Sequence, residues 1–108
     1  MKPIAFAAIL ASFATSAAAD AYIMGSGNWT CEKSIQAWKG TPIDKGQVAG
    51  WILGYWSFAT TTRETAFIDT VERVGGLAII EKTIEECRKA RPDTPLHEVA
   101  NGMIKNTK

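Results

Sequence analysis

The sequence predicts a small all-α fold, a bundle of about four helices that is cross-linked by one disulfide. Apolar residues recur at helical spacing in several segments, and residues that begin or end helices bound each segment. The two cysteines, Cys31 and Cys87, form an even pair in a short chain. No internal repeat or low-complexity tract divides the sequence, so we expect a single domain over residues 20–108.

Residues 1–19 have the pattern of a secretory signal peptide. A cationic start precedes an apolar run over residues 4–13, and three alanines ending at Ala19 form a small-residue cleavage site. Cleavage after Ala21 also fits this rule. Because the run is too short to span a bilayer, we expect cleavage and export to the periplasm. Paired cysteines form disulfides in such a compartment, which predicts a Cys31–Cys87 disulfide.

The first helix is predicted from Cys31 to about Trp38. Thr30 is a good N-cap for it, and Glu32 suits the first turn. Residues 40–42, Gly-Thr-Pro, end the helix. The preceding residues 20–29 contain glycine, serine and asparagine and are expected to be loose.

The second helix is predicted to open at Asp44, because Gln47 three residues later completes a capping box. Residues 46–62 carry no charge and are apolar around most of the helix. Helices of this kind are buried, so we expect burial in the core or against a partner. The run is short for a bilayer and contains polar side chains, so we expect no stable membrane insertion.

Three glycines, Gly46, Gly50 and Gly54, recur every fourth residue along this helix. Each costs about 1 kcal/mol against alanine in a helix interior. We expect them to allow close approach of another backbone, either within the fold or across a homodimer. A functional alternative is a surface that presents apolar side chains to clients or to one partner. Its candidate contact residues are Trp51, Ile52, Leu53, Tyr55, Trp56 and Phe58.

The second half of the chain contains three shorter apolar patterns. Residues 67–74 fit a helical face, although β-branched residues and threonines leave a strand open. A further helix carries Leu77, Ile80, Ile84 and Cys87 on one face. In the last helix, Thr94 is the expected cap and Pro95 the expected first residue.

No residue pattern indicates catalysis. The sequence has no paired metal ligands, no nucleophile elbow and no phosphate-binding glycine loop. His97 is the single histidine, and Glu85 and Glu86 are expected to be a solvated pair. We therefore expect no enzyme activity, no metal and no cofactor. Basic residues are scattered, which argues against nucleic acid as a partner.

Three motifs follow the predicted signal peptide: Trp29–Glu32 (WTCE), Gly50–Tyr55 (GWILGY) and Cys87–Leu96 (CRKARPDTPL). In this order they resemble the HdeA/HdeB-like family of small periplasmic proteins. The resemblance implies an all-α, disulfide-linked fold in which Cys31 pairs with Cys87. It also implies an ATP-independent chaperone that dimerises near neutral pH and, in acid, exposes an apolar surface to unfolding clients. Residues 48–58 would supply that surface.

Two other functions fit the same plan. Periplasmic immunity proteins, which block secreted toxins, also combine a signal peptide, paired cysteines and a helix with glycine and tyrosine. A structural envelope-stress protein without clients is the third possibility.

Charge makes the acid-stress hypothesis physically coherent. Removal of the signal peptide takes away Lys2 alone among the 12 Lys and Arg residues, leaving 11 against 11 Asp and Glu. At about pH 2 every carboxylate is protonated. The 11 bases and His97 then give a formal charge of +12. Self-repulsion of this size would loosen a dimer or its packing.

Overall fold

The computed structural model describes residues 22–108, and the predicted signal peptide lies outside the described residues. The described chain forms five α-helices and one short 3-10 helix, and it contains no β-strand. The 3-10 helix is Gly25–Asn28, and the α-helices are α1 Cys31–Trp38, α2 Pro42–Thr60, α3 Thr65–Val74, α4 Gly76–Lys89 and α5 Leu96–Asn106. The predicted all-α class is confirmed. Residues 67–74, for which the sequence left both a helix and a strand possible, lie in helix α3.

Helix α1 has the predicted bounds and the predicted cap. The Thr30 hydroxyl accepts a hydrogen bond from the Lys33 backbone N–H at 3.1 Å. The prediction of a loose segment before α1 is wrong for residues 25–28, which form the 3-10 helix. Ser26 is buried there, and its hydroxyl donates to the Gln47 carbonyl at 3.1 Å.

Helix α2 begins at Pro42, two residues before the predicted start. The Thr41 hydroxyl accepts from the Asp44 backbone N–H at 3.2 Å, so the predicted Asp44 cap is wrong. The helix begins at Thr41 and Pro42 because a threonine N-cap accepts a backbone hydrogen bond and proline at the first helical position already has the helical φ angle. The helix ends where hydroxyls of three successive threonines, residues 60–62, donate to carbonyls of its last turn.

Helices α3 and α4 meet at Gly75, whose positive φ of 87° a side chain would rarely adopt. Phe67 of α3 is fully buried, and its ring stacks on Trp56 with centroids 6.0 Å apart. In α4 the predicted apolar face is confirmed at Ile80, Ile84 and Cys87, all of which are buried. Leu77 was predicted on the same face, yet it is 64% exposed because it lies in the first turn at the edge of the bundle.

The predicted disulfide between Cys31 and Cys87 is confirmed. It joins the start of α1 to the last turn of α4 across 56 residues, and both half-cystines are buried. A loop of this length corresponds to about 4 kcal/mol of stabilisation in the chain-entropy description. The backbone reinforces the link, since the Leu96 N–H donates to the Trp29 carbonyl at 2.9 Å. Helix α5 begins at Leu96 without the predicted Thr94 cap.

Arg63 links the turn after α2 to the C-terminal end of α5. Its guanidinium donates to the Ile104 carbonyl at 2.8 Å and to the Thr107 carbonyl at 2.7 Å. The Ile104 carbonyl also accepts from the Thr107 backbone N–H at 3.2 Å, so Arg63 adds a second donor at the C-terminal end of α5. The same guanidinium lies 4.2 Å from the centroid of the Phe67 ring. The turn between α2 and α3 is thereby fixed to the end of the last helix.

Candidate binding surface on helix α2

Helix α2 has one buried face and one exposed face, although its sequence is apolar on both. Val48, Ile52 and Trp56 are at most 5% exposed and pack into the core. On the other side, Phe58 is 67% exposed and Leu53 is 37% exposed. Burial in the core, one of the two predicted alternatives, is therefore confirmed for one face only, and burial of the other face against a partner stays a prediction. Among residues 22–108, no helix is long and apolar enough to cross a membrane.

The exposed face forms a shallow groove of about 330 Å³, which we call the outer groove. Two glycines give it a flat floor, and three aromatic side chains form its wall. Its residues are Gly50, Trp51, Gly54, Tyr55 and Phe58. A surface of this kind can bury an apolar segment of a partner, because aromatic side chains contribute large contact areas and glycines allow close approach.

Contacts on both sides of the helix hold the aromatic wall in place. Trp51 and Tyr55 stack with ring centroids 4.7 Å apart and planes 15° from parallel. The Trp51 ring lies against Gly27, where a Cβ atom would overlap it. The Tyr55 hydroxyl donates to the Asn101 side-chain oxygen at 3.4 Å. The outer groove is therefore preformed in the folded chain, and Phe58 is its most exposed aromatic side chain.

The structure divides the six predicted contact residues between two environments. Four are accessible on the surface: Trp51, Leu53, Tyr55 and Phe58. Ile52 and Trp56 lie in the core, and a partner could reach them only if the fold opened. Spacing explains the division, since residues four apart share a helix face and Ile52 and Trp56 continue the line of Val48.

The three glycines lie on the exposed side of α2. A Cβ atom at Gly46, Gly50 or Gly54 would meet nothing within 4 Å among the described residues. No part of the described chain packs closely against the three glycines. The prediction that they allow close approach of another backbone within the fold is therefore wrong. Close approach across a homodimer or to a partner stays a prediction.

Residues outside α2 that support the groove were missed by the sequence analysis. Gly27 makes room for Trp51, and Asn101 on α5 positions Tyr55. The Gly-Ser-Gly sequence at residues 25–27 was the available signal for Gly27, because it marks a turn with little side-chain bulk. Nothing in the local sequence identifies Asn101, which becomes relevant only through tertiary packing.

No charged residue lines the outer groove. Residues 46–62 carry no charge, and every carboxylate of the described chain is at least partly exposed. Four ion pairs join exposed or partly exposed side chains on α4 and in the loops, so they contribute little stability. A hydrogen bond from Arg63 lowers the pKa of the Glu64 carboxyl. A hydrogen bond to Glu86 raises the pKa of Lys89, to which the charge of Glu85 also contributes.

The described residues contain no group of three or more His, Cys, Asp or Glu side chains that could hold a metal ion. Comparisons of the chain with protein-family models, with curated proteins and with solved structures find no match. The resemblance to the HdeA/HdeB-like family therefore stays a hypothesis that depends on the three motifs quoted above.

Proposed function

We propose that this protein is an exported, ATP-independent acid-stress chaperone that binds unfolding envelope proteins through the outer groove of α2. The observation that carries the proposal is an uncharged groove that is exposed in the folded chain. Large exposed apolar surfaces rimmed by polar residues are typical of sites that bind proteins. The groove exposes both the main chain at its glycines and the faces of aromatic side chains. Contacts of these two kinds suit clients of varied sequence.

The glycines support a partner on this face. Gly46, Gly50 and Gly54 each cost about 1 kcal/mol of helix stability relative to alanine. No packing contact within the described chain offsets that cost. A partner that approaches the helix closely would offset it, because a Cβ atom at any of the three positions would hold the partner's backbone away.

Acid acts through net charge in this proposal. No carboxylate of the described chain is buried, so protonation removes no internal ion pair from the core. The formal change from 0 to +12 instead makes copies of the chain repel each other. Near neutral pH a second copy covers the outer groove, and acid separates the two copies while clients unfold. The disulfide limits expansion of each chain.

Periplasmic location is part of the same proposal. A disulfide between two buried cysteines is typical of proteins in oxidising compartments. The resemblance to HdeA/HdeB-like proteins implies both a periplasmic location and a role in acid stress. The predicted signal peptide supplies the route.

An immunity protein that binds one secreted toxin is the second candidate. The observation that favours it is the preformed wall, in which the Trp51 ring packs on Gly27 and the Tyr55 hydroxyl donates to Asn101. A preformed surface suits one cognate partner, because little order is lost on binding. This function predicts tight binding near neutral pH and no effect on the aggregation of other proteins.

Light scattering of an acid-labile client, such as alcohol dehydrogenase, separates the two candidates when measured from pH 2 to pH 7. We expect suppression of scattering at low pH only, together with a change from dimer to monomer in light-scattering mass and increased binding of a dye specific for apolar surface. Unchanged client scattering, with no dye binding at pH 2–3, would contradict the chaperone and favour a specific partner.

Phe58→Ser tests the groove itself, because Phe58 lines it, is 67% exposed and does not support the core. We expect loss of most suppression with an unchanged melting temperature. Ile68→Ser is the matched control, since Ile68 on α3 is 40% exposed and lies outside the groove. Equal suppression by Phe58→Ser and the control would show that clients do not bind at the outer groove.

A further inference from the structure

A cavity of about 120 Å³ lies on the core side of α2, where α2, α3, α4 and the end of α5 meet. All four helices contribute to its apolar wall, which consists mainly of Trp56, Val71, Ile79 and Met103. Thr70 and Thr107 also line it. An engineered apolar cavity of about 150 Å³ binds benzene, so this space has about the volume that one apolar side chain fills.

Residues 105–108, which we call the strap, run past this cavity at the end of α5. The Thr107 carbonyl accepts from the Arg63 guanidinium at 2.7 Å, and the Thr107 hydroxyl donates to the Met103 carbonyl at 2.7 Å. The Lys108 carbonyl accepts from the Thr70 hydroxyl at 3.0 Å. Two side chains from outside α5, those of Arg63 and Thr70, therefore hold the strap beside the cavity.

Little apolar burial holds the strap in place. Ile104, directly before it, is buried, whereas Thr107 is half-buried and the other three residues of the strap are exposed. Hydrogen bonds of partly exposed groups contribute little net stability, because water replaces them when they break. Segments with few buried apolar contacts open at a lower free energy than the whole fold. The strap therefore has the properties of a segment that opens locally.

We propose that the strap is a latch that opens while the rest of the bundle stays folded, and that the open state admits an apolar side chain of an unfolding client into the cavity. This inference rests on the proposed chaperone function and adds a second client contact on the core side of α2. Opening gives a client access to Trp56, a predicted contact residue that is buried when the strap is closed. The population of the open state then sets the apparent affinity of this contact.

The test places one thiol in the cavity and measures its reaction with 4,4′-dithiodipyridine at pH 7, without client. Cys31 and Cys87 are joined, so Ile79→Cys carries a single free thiol. Ile84→Cys is the matched control, since Ile84 is 0% exposed on the same helix and does not line the cavity. We expect Ile79→Cys to react at least about tenfold faster, after correction for the stability of each variant to urea. Equal corrected rates would mean that the cavity opens only on global unfolding and would overturn the proposal. If Ile79→Cys does not fold, Val71→Cys reports from the same cavity.

A second substitution assigns the opening to the strap. Thr70→Val removes the hydroxyl that holds the Lys108 carbonyl, so it should raise the labelling rate of Ile79→Cys by about threefold to tenfold. The rate of Ile84→Cys should not change. Thr65→Val, which replaces an exposed threonine of the same helix outside the cavity, should change neither rate. A labelling rate of Ile79→Cys that does not respond to Thr70→Val would refute the strap as the latch.

Use of the open state by clients is measured separately, through light scattering of alcohol dehydrogenase. Thr70→Val should reach half-maximal suppression at about one third of the concentration that the unchanged protein requires, whereas Thr65→Val should match the unchanged protein. Faster labelling without stronger suppression would overturn client contact at the cavity. Absence of suppression by the unchanged protein would refute the proposed function and this client contact with it, whereas the labelling rates would still decide whether the strap opens.

Discussion

The two faces of helix α2 are equally apolar in sequence and have opposite roles in the fold. On the inner face, Val48 and Ile52 are 0% exposed. On the outer face, a Cβ atom at Gly50 or Gly54 would find open space. Burial within the chain follows side-chain volume, because branched and aromatic residues fill the core and glycines cannot. The glycines of the outer face are uncharged but have no side chain to fill a core. In α2 they lie on a surface that a partner can approach.

The supports of the two faces differ in the same way. The inner face rests on a bundle that is fixed by the Cys31–Cys87 disulfide and by the bonds from Arg63 to the end of α5. The outer groove depends on two local supports, the space at Gly27 and the hydrogen bond from Tyr55 to Asn101. We therefore expect substitutions to separate stability from binding along one helix.

The largest expected effect comes from truncation of the inner face. Ile52→Ala should lower the free energy of unfolding by about 2–5 kcal/mol, because it leaves a cavity in the core. Phe58→Ala, an exposed truncation on the same helix, should change it by about 0.5 kcal/mol or less. Urea unfolding of the oxidised proteins measures both values. Similar losses for the two variants would mean that the outer face also packs within the chain.

Next in size is the support of the aromatic wall. Gly27→Ala should destabilise the fold by about 1–3 kcal/mol, because the added methyl group overlaps the Trp51 ring. Trp51 fluorescence should change with it. Gly102→Ala is the matched control, since a Cβ atom at Gly102 would meet no atom within 4 Å among the described residues. Should Gly27→Ala be as stable as the unchanged chain, with the same fluorescence, Trp51 is not held by this contact.

The outer glycines should respond in the opposite direction. Gly50→Ala and Gly54→Ala should each raise the free energy of unfolding of the monomer by about 0.5–1 kcal/mol, because alanine favours the helix and has space here. The same substitutions should weaken self-association or client binding. Sedimentation and thermal melting at several concentrations separate the two effects. A more stable variant with unchanged association would show that no partner needs the flat floor.

The smallest effect concerns pH. The hydrogen bond from Arg63 lowers the pKa of Glu64 in the folded state, so its contribution to stability is present above the unfolded pKa and is lost as pH falls through the folded value. Glu64→Gln should therefore be slightly less stable than the unchanged chain at pH 7 and equally stable at about pH 2. Glu72→Gln is the matched control for the loss of one negative charge, since Glu72 has no ion pair within 4 Å among residues 22–108. A stability difference for Glu64→Gln that is constant from pH 2 to pH 7 would exclude this origin.

Local signals in the sequence determined much of the fold. The Thr30 cap gave the start of α1, helical spacing gave the apolar face of α4, and the paired cysteines gave the disulfide. These features are predictable because each depends on neighbouring residues or on the chemistry of one residue type. The predicted cap of α2 is three residues too late, because Thr41 and Asp44 are both good caps and the proline after Thr41 favours Thr41.

Only the tertiary structure decided which face of α2 is buried, because a helix that is apolar all round gives no local preference between its sides. The same holds for Leu77, which has the right spacing for the core and lies at the edge of the bundle. Gly27, Arg63 and Asn101 act on residues far away in sequence, through shape and hydrogen bonds that exist only after the helices pack. The sequence by itself thus determined helices and their covalent link, while packing determined which apolar residues remained available to a partner.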